Sequence, residues 1–254
     1  MEERRRTILR ELDEKGRVRV AELSRELGCS EVTIRNDIKN MDMEGLLQRV
    51  HGGAIKREES PVRKYSAESM YRHTDRKKKI AACAYDYIED RDTIIIDDAS
   101  SSFYLAVHIK NHPEKRVAVV TNSLLVGNEL SGAKHVELYM VGGHVGGHIA
   151  ATMGDAALEN MQNFHVDKAF IGVHGINFEA GLTSIATPQM QVKHAVLNAA
   201  KEVYVLADSS KFGGGYLSVI CPLTDVHLII TDDEVAKENV KIAKELNVRR
   251  LRST

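Results

Sequence analysis

The chain has 254 residues, 43% of them apolar and 28% charged, with 35 basic and 36 acidic side chains, three cysteines and no tryptophan. Such a chain buries a core large enough for two domains without disulfide staples, and its composition excludes collagenous, disordered and low-complexity classes. Cys29, Cys83 and Cys221 are too widely spaced for a CxxC pair or a ligand cluster, so reduced thiols and a cytoplasmic location are expected. The opening Met-Glu-Glu-Arg-Arg-Arg lacks the apolar core of a signal peptide, and no window offers the roughly 20 apolar residues of a membrane span. The near-neutral total conceals an asymmetry: 13 basic and 11 acidic groups over residues 1–57, 7 and 4 over 58–79, 15 and 21 over 80–254. The bias is mild, and solvated helix faces account for it as well as a polyanionic partner does.

Ile8, Leu9 and Leu12 share a helical stripe that Gly16 stops, before a short extended piece Val18-Arg19-Val20. A second helix carries Leu23 and Leu27, ends at Gly28 in a left-handed cap, and turns through Cys29 into Ser30, the N-cap of a third helix. Two helices joined by so tight a turn make a helix-turn-helix. In the third helix Ile34, Ile38 and Met41 face inward, which leaves Ser30, Glu31, Thr33, Asn36, Asp37 and others for solvent or a partner. Arg35 has the fork that suits guanine or phosphate, Asn36 the amide that suits adenine, and Thr33 a hydroxyl for phosphate. Leu46, Leu47 and Val50 lead into His51-Gly52-Gly53 and Ala54-Ile55, a strand, glycine turn and strand that form a hairpin wing. The candidate DNA-binding set is therefore Ser30, Glu31, Thr33, Arg35, Asn36 and Lys39, with Arg49 and His51 on the wing. A three-helix interaction domain with an ordinary hairpin is the alternative.

The run Ala21-Glu22-Leu23, then Leu27-Gly28-Cys29-Ser30-Glu31-Val32-Thr33-Ile34-Arg35-Asn36-Asp37-Ile38, then Gly45 to Ala54, resembles the winged helix-turn-helix signature of DeoR-family transcriptional regulators. It departs at Asn36, where the family usually has a second arginine. The expected boundaries are a DNA-binding domain over 1–57, a linker over 58–74 rich in Ser, Pro and charge, and an effector domain over 75–254.

Downstream, apolar runs at Thr93–Asp97, Val117–Val120, Val136–Val141, Lys168–Ile171, Val203–Ala207 and His227–Thr231 alternate with helical patterns. That alternation predicts an α/β domain with a mostly parallel sheet buried between helices. The first run ends in Asp97-Asp98-Ala99-Ser100-Ser101-Ser102 ahead of a helix, placing three hydroxyls at a helix N-terminus, where free N–H groups and the macrodipole favour an anion. Helix capping by Ser100 or Ser101 is the structural alternative. Thr121-Asn122-Ser123 and Asp208-Ser209-Ser210-Lys211 repeat the arrangement, with Lys193 a second candidate cation. Gly142, Gly143, Gly172, Gly175 and the turn Gly181-Leu182-Thr183 mark other strand exits, allowing close backbone approach or merely a turn.

From about Asp75 to Leu251 these segments resemble the DeoR-type sensor domain, similar in fold to ribose-5-phosphate isomerase and the CoA-transferases. The resemblance implies a phosphorylated sugar as effector, held by Asp97, Ala99, Ser100, Ser101 and Ser102, by Thr121, Asn122 and Ser123, and by Lys193, Asp208 and Lys211, with Gly142, Gly143 and Gly172 close by. It departs at Ala99, at Ser100 to Ser102, at His174 and Asn177 where Asp is common, and at Gln189 where Glu is common. It further implies repression of a carbohydrate operon through double-stranded operator DNA and homo-oligomers, a dimer or tetramer.

Other motifs fail on chemistry. Gly142 to His148 lacks the lysine of a P-loop and the G-x-G-x-x-G of a dinucleotide turn. His144/His148 and His108/His112 have i, i+4 spacing without a carboxylate or cysteine to complete a metal set, so neither metal nor cofactor is expected. The rival of another class is a sugar-phosphate isomerase-like enzyme fused to a binding domain. It needs a general base, and Gln189 replaces a carboxylate that would serve, although Asp97, Asp98 and Asp208 remain.

Overall fold

The computed structural model describes residues 2–43, 47–55, 69–146, 150–185, 189–245 and 251–254. The chain divides into two compact units, Met1–Pro61 and Val62–Thr254. Gly45, Leu46, residues 58–68 of the expected linker, His148 and the side chain of Gln189 lie outside the described residues.

The first unit runs α1 (Glu2–Lys15), β1 (Arg17–Arg19), α2 (Val20–Glu26), α3 (Glu31–Met43), β2 (Gln48–Val50) and β3 (Gly53–Ile55). Ile8, Leu12, Leu23, Ile34, Ile38, Met41 and Leu47 bury one cluster between the helices and the wing. Gly28 turns the chain at φ 61, in the left-handed region that side-chain-bearing residues resist. Ser30 caps α3 by accepting from the Thr33 N–H at 3.2 Å. Strands β2 and β3 pair antiparallel with His51-Gly52 between them, as the glycine pattern predicts.

Two sequence expectations need correction here. Val20 begins α2 rather than ending an extended piece, because β1 stops at Arg19 after pairing with β3 and completes a three-stranded sheet, β1-β3-β2. Asp37 does not face outward: it is 6% exposed and ion-paired with Arg4 of α1, so it ties α1 to α3.

The second unit opens with α4 (Thr74–Tyr85) and β4 (Thr93–Ile96), then α5 (Ser100–Asn111), β5 (Val117–Thr121), α6 (Leu124–Leu130) and β6 (Val136–Met140). It continues through α7 (Asp155–Gln162), β7 (Val166–Gly172), β8 (Gly175–Asn177), β9 (Gly181–Ser184), α8 (Gln189–Ala199) and β10 (Ala200–Leu206). A 3-10 turn at Ser209–Lys211, β11 (Ser218–Cys221), a second 3-10 turn at Leu223–Asp225, β12 (Leu228–Thr231), α9 (Lys237–Glu245) and β13 (Leu251–Ser253) follow.

Among the described residues seven strands form one sheet in the order β13-β12-β10-β7-β4-β5-β6, every neighbouring pair parallel. Alternate residues feed two cores. Ile95, Ala169, Ile171, Val203, Val205 and Ile229 pack against α7, α8 and α9, while Ile94, Ile96, Phe170, Leu206 and Ile230 pack against α4, α5 and α6. Helices on both faces explain why the strands read as continuous apolar runs. The expected turn Gly181-Leu182-Thr183 is instead β9, the fully buried centre of a small antiparallel sheet β11-β9-β8. β9 is too short, and too buried on both faces, to show the alternation that marks a strand in sequence.

Candidate functional site

On α3 the outward residues Glu31, Arg35, Asn36 and Lys39 are exposed, and Arg49 and His51 are exposed on the wing. The ridge is organised by its own contacts. Arg35 Nη2 donates to Glu31 Oε2 at 2.7 Å one turn back, the Ser30 and Thr33 hydroxyls lie 2.9 Å apart, and the Arg49 N–H donates to Asp42 Oδ1 at 3.3 Å. Ser30 and Thr33 are therefore engaged in capping, which leaves Arg35, Asn36 and Lys39 as the long outward groups. Such an exposed helix face, bearing a fork, an amide and an ammonium, suits the edge of a duplex.

In the second unit the chain passes from β4 to β5 and β6 on one side, then to β7, β10, β12 and β13 on the other. The order reverses between β4 and β7, where connections diverge and an open parallel sheet leaves a crevice beyond its carboxyl ends. Asp97, 1% exposed, directly follows β4 at that carboxyl end. Its carboxylate accepts from the Gly172 N–H at 3.0 Å, from the Ala99 N–H at 3.1 Å, from the Ser102 hydroxyl and from Lys193 Nζ. Lys193, reaching over from α8 and 5% exposed, also donates to the Gly172 carbonyl at 2.9 Å. Gly172 has to be glycine: a Cβ there would overlap that of Ala99, the N-cap of α5. Neither Ser100 nor Ser101 caps α5, because the capping residue Ala99 has no side-chain acceptor.

The structure thus brings Asp97, Ala99, Ser100, Ser101, Ser102, Gly172 and Lys193 together, with Lys193 already neutralised. Burial pulls the Lys193 ammonium down, but Asp97 and Asp98 outweigh it and hold it above its ordinary value. Asp208, 1% exposed beyond β10, accepts from the Ser210 N–H at 3.1 Å and caps the 3-10 turn that carries Lys211.

One member of this cluster escaped the sequence reading. Lys77, inside the run Arg76-Lys77-Lys78-Lys79, is 2% exposed and donates to the Ser69 carbonyl. Burial drives its pKa down to about 8 against the pull of Asp208, with Lys211 adding to the fall. Asp208, Lys211 and Lys77 therefore act on one another. Ser69 also pairs its hydroxyl with that of Ser100 at 3.1 Å, and Tyr104 donates to the Met70 carbonyl at 3.2 Å, so the last residues of the expected linker are fastened to α5. His174, beyond β7, is held neutral: burial first, then Lys193 and Lys211, lower its pKa to about 4 against Asp97, and its Nδ1 lies 2.9 Å from the Ser184 hydroxyl.

Thr121 donates to the Ile96 carbonyl at 2.6 Å and Ser123 caps α6, so both hydroxyls serve the fold. Asn122 differs. It is 3% exposed, and no described residue donates to its Oδ1. Gly142 and Gly143 leave β6 two strands from β4, exposed, at the rim of the row. At the opposite end of the sheet a polar cleft of about 470 Å³ opens among Asp86, Tyr87, Asp92, Lys168, Lys201 and Tyr204. Both of its lysines are paired there, Lys168 to Asp92 at 2.5 Å and Lys201 to Asp167 at 2.8 Å. Among the described residues no group of three or more His, Cys, Asp or Glu is placed to hold a metal, and no helix is long and apolar enough to cross a membrane.

Residues 4–60 match the DeoR-like helix-turn-helix domain, and residues 72–233 match the DeoR C terminal sensor domain. The chain is 32% identical over 232 residues, 91% of each protein, to the uncharacterised HTH-type transcriptional regulator FruR of Bacillus subtilis (strain 168). It is 27% identical over 244 residues, 95% of this chain and 96% of the relative, to the lactose phosphotransferase system repressor of Staphylococcus epidermidis (strain ATCC 12228 / FDA PCI 1200). Among solved structures it is similar to ribose 5-phosphate isomerase A from Methanocaldococcus jannaschii, with 21% identity and a TM-score of 0.41. That similarity covers 55% of this chain and about half, 54%, of the isomerase.

Proposed function

This chain belongs to the DeoR family of transcriptional regulators, and we propose that it represses a carbohydrate operon and releases its operator when a phosphorylated sugar fills the crevice beyond β4 and β7. The observation that carries the effector half is the set of buried and half-buried cations, Lys77 and Lys211, gathered at the carboxyl ends of a parallel sheet beside the first turn of α5. In this reading the phosphate sits against Ser100, Ser101 and the α5 N–H groups, with Lys77 and Lys211 supplying charge. Asn122 Oδ1, Asp208 and His174 receive or offer hydrogen bonds to sugar hydroxyls. Asp97 and Lys193 position the loop and stay paired to each other.

In the front half, residues 1–57 act as the reading head, with Arg35, Asn36 and Lys39 toward base edges and phosphates and Arg49 and His51 on the flanking backbone. Homo-oligomers formed through residues 75–254 set the half-site spacing. Effector binding then shifts the population toward an arrangement whose paired heads no longer match the operator; a coupling of about 1–3 kcal/mol weakens DNA binding about 5- to 150-fold. Against turnover stands Asp97, whose two oxygens are taken by four donors and an ammonium partner is among them.

The deciding measurement pairs a thermal-shift screen of phosphorylated sugars with gel-shift release of a selected duplex. A sugar phosphate that raises the melting temperature and frees the DNA is expected, since a ligand of the native state stabilises it by mass action. If every such compound leaves both readouts unmoved, or is interconverted between aldose and ketose, the repressor reading fails. Ser101→Asp, which plants a carboxylate where the phosphate belongs, should hold DNA and ignore the inducer; a normal response removes α5 from the site.

A further inference from the structure

Val32 stands in the first turn of α3 with 64% of its surface open. Helix physics does not ask for a valine there, because β-branching restricts its rotamers in a helix and water offers an apolar side chain no attraction. Nor does the core require it: Ile34, Ile38 and Met41 complete the inward stripe, and Val32 lies outside that cluster. Three and four residues further on are Arg35 and Asn36, and seven further on is Lys39, all exposed, so Val32 begins the outward ridge to which they belong. Among the residues whose side chains are described, every other exposed one of that ridge is polar.

An isolated exposed valine on an arbitrary surface carries no message. This one occupies the turn that meets base edges when a helix-turn-helix docks, beside an arginine steadied by Glu31 at 2.7 Å. The polar neighbours match purine edges and phosphates. A major groove presents one feature that an aliphatic side chain matches better than water does, the 5-methyl group of thymine.

We propose that Val32 reads the 5-methyl group of a thymine in the operator, adding an apolar contact to the polar readout of α3. The inference rests on α3 being the element that enters the groove. Its test uses the full chain and a duplex enriched from a random-sequence pool, in which each thymine is replaced in turn by uracil, a base with the same pairing and no methyl. At one thymine per half-site the replacement should weaken wild-type binding about four-fold, the worth of one buried methyl. Val32→Ala, which favours the helix and so stays folded, should bind the thymine and uracil duplexes equally well. Wild-type indifference to uracil at every position overturns the proposal, as does a Val32→Ala protein that keeps the full uracil penalty. If the pool yields no preferred duplex at all, α3 as a reading element has failed and Val32 falls with it.

Discussion

The two candidate sites treat their charges in opposite ways. On the reading head Arg35 and Glu31 form an ion pair in water, with side chains 58% and 46% exposed. Beyond β4 and β7, Lys193 and Asp97 form one with side chains 6% and 2% exposed. An exposed pair contributes about 0–1 kcal/mol and is screened by salt, so Arg35 can leave Glu31 for a phosphate at little cost. A buried pair exchanges solvent for fixed partners, and breaking it strands a charge in a medium that cannot solvate it. In the proposed reading the exposed face of α3 therefore grips an extended polyanion through replaceable contacts, while the Asp97–Lys193 pair is a fixed support for the loop after β4.

The largest test of that contrast is Lys193→Met, which leaves Asp97 buried without its ammonium partner. We expect urea unfolding of the sensor unit to show a loss of about 3–5 kcal/mol. Combining it with Asp97→Asn should cost less than the two single losses added, because the pair acts as a unit. A single-variant loss below about 1 kcal/mol, typical of an exposed pair, would erase the difference between the two regions.

Arg35→Ala should do the reverse, leaving stability within about 0.5 kcal/mol of wild type while lowering operator affinity by about 1–3 kcal/mol. If Arg35 meets a phosphate, the slope of log affinity against log salt also becomes shallower by about one contact. Filter binding at several salt concentrations checks both, and unchanged affinity would remove Arg35 from the interface.

A smaller effect comes from pH. Lys77 titrates near 8 in the folded chain, below its ordinary 10.5. Between those values the unfolded chain holds the proton more tightly, so stability rises with pH from about 8 to about 10.5. Anion binding has the opposite slope: affinity for a sugar phosphate should be level from pH 7 to 8 and fall by up to about tenfold for each unit above that. Lys77→Met should bind weakly and without that dependence. His174, near 4 when folded against an ordinary 6.5, gives a loss of stability as pH falls from about 6.5 to about 4.

How much of this is legible in sequence differs between the units for the same physical reason. The head is local. Ile34, Ile38 and Met41 set its inward face, and Gly28 and Ser30 set its turn, all within a few residues of one another. What escapes there is Asp37, whose burial is decided by Arg4 on another helix. In the sensor unit the strand ends are readable from apolar runs followed by small polar residues. The pairing of Asp97 with Lys193 joins residues 96 positions apart, and no local pattern announces it. Lys77 is the sharpest case: within four consecutive basic residues it reads as solvated, yet α4 turns that one position inward while Arg76 and Lys79 pair with Glu234 and Asp233. The strand β9 escapes because it is short and buried on every residue.

The finest comparison uses one chemistry in both places. Ser30 caps α3 by accepting from the Thr33 N–H at 3.2 Å, and Ser123 caps α6 by accepting from the Val126 N–H at 3.3 Å. Alanine at an N-cap costs about 0.5–2 kcal/mol, and the spread reflects what replaces the lost acceptor. Ser30 is exposed, so water reaches the Thr33 N–H and the loss should fall near the lower end. Ser123 is 2% exposed and Val126 fully buried, so the orphaned N–H finds no water and the loss should fall near the upper end. Denaturation followed separately in each unit reads both values. Equal losses would mean that water enters the sensor core as freely as it bathes the reading head, and the confinement that distinguishes the crevice would then have to come from its charges alone.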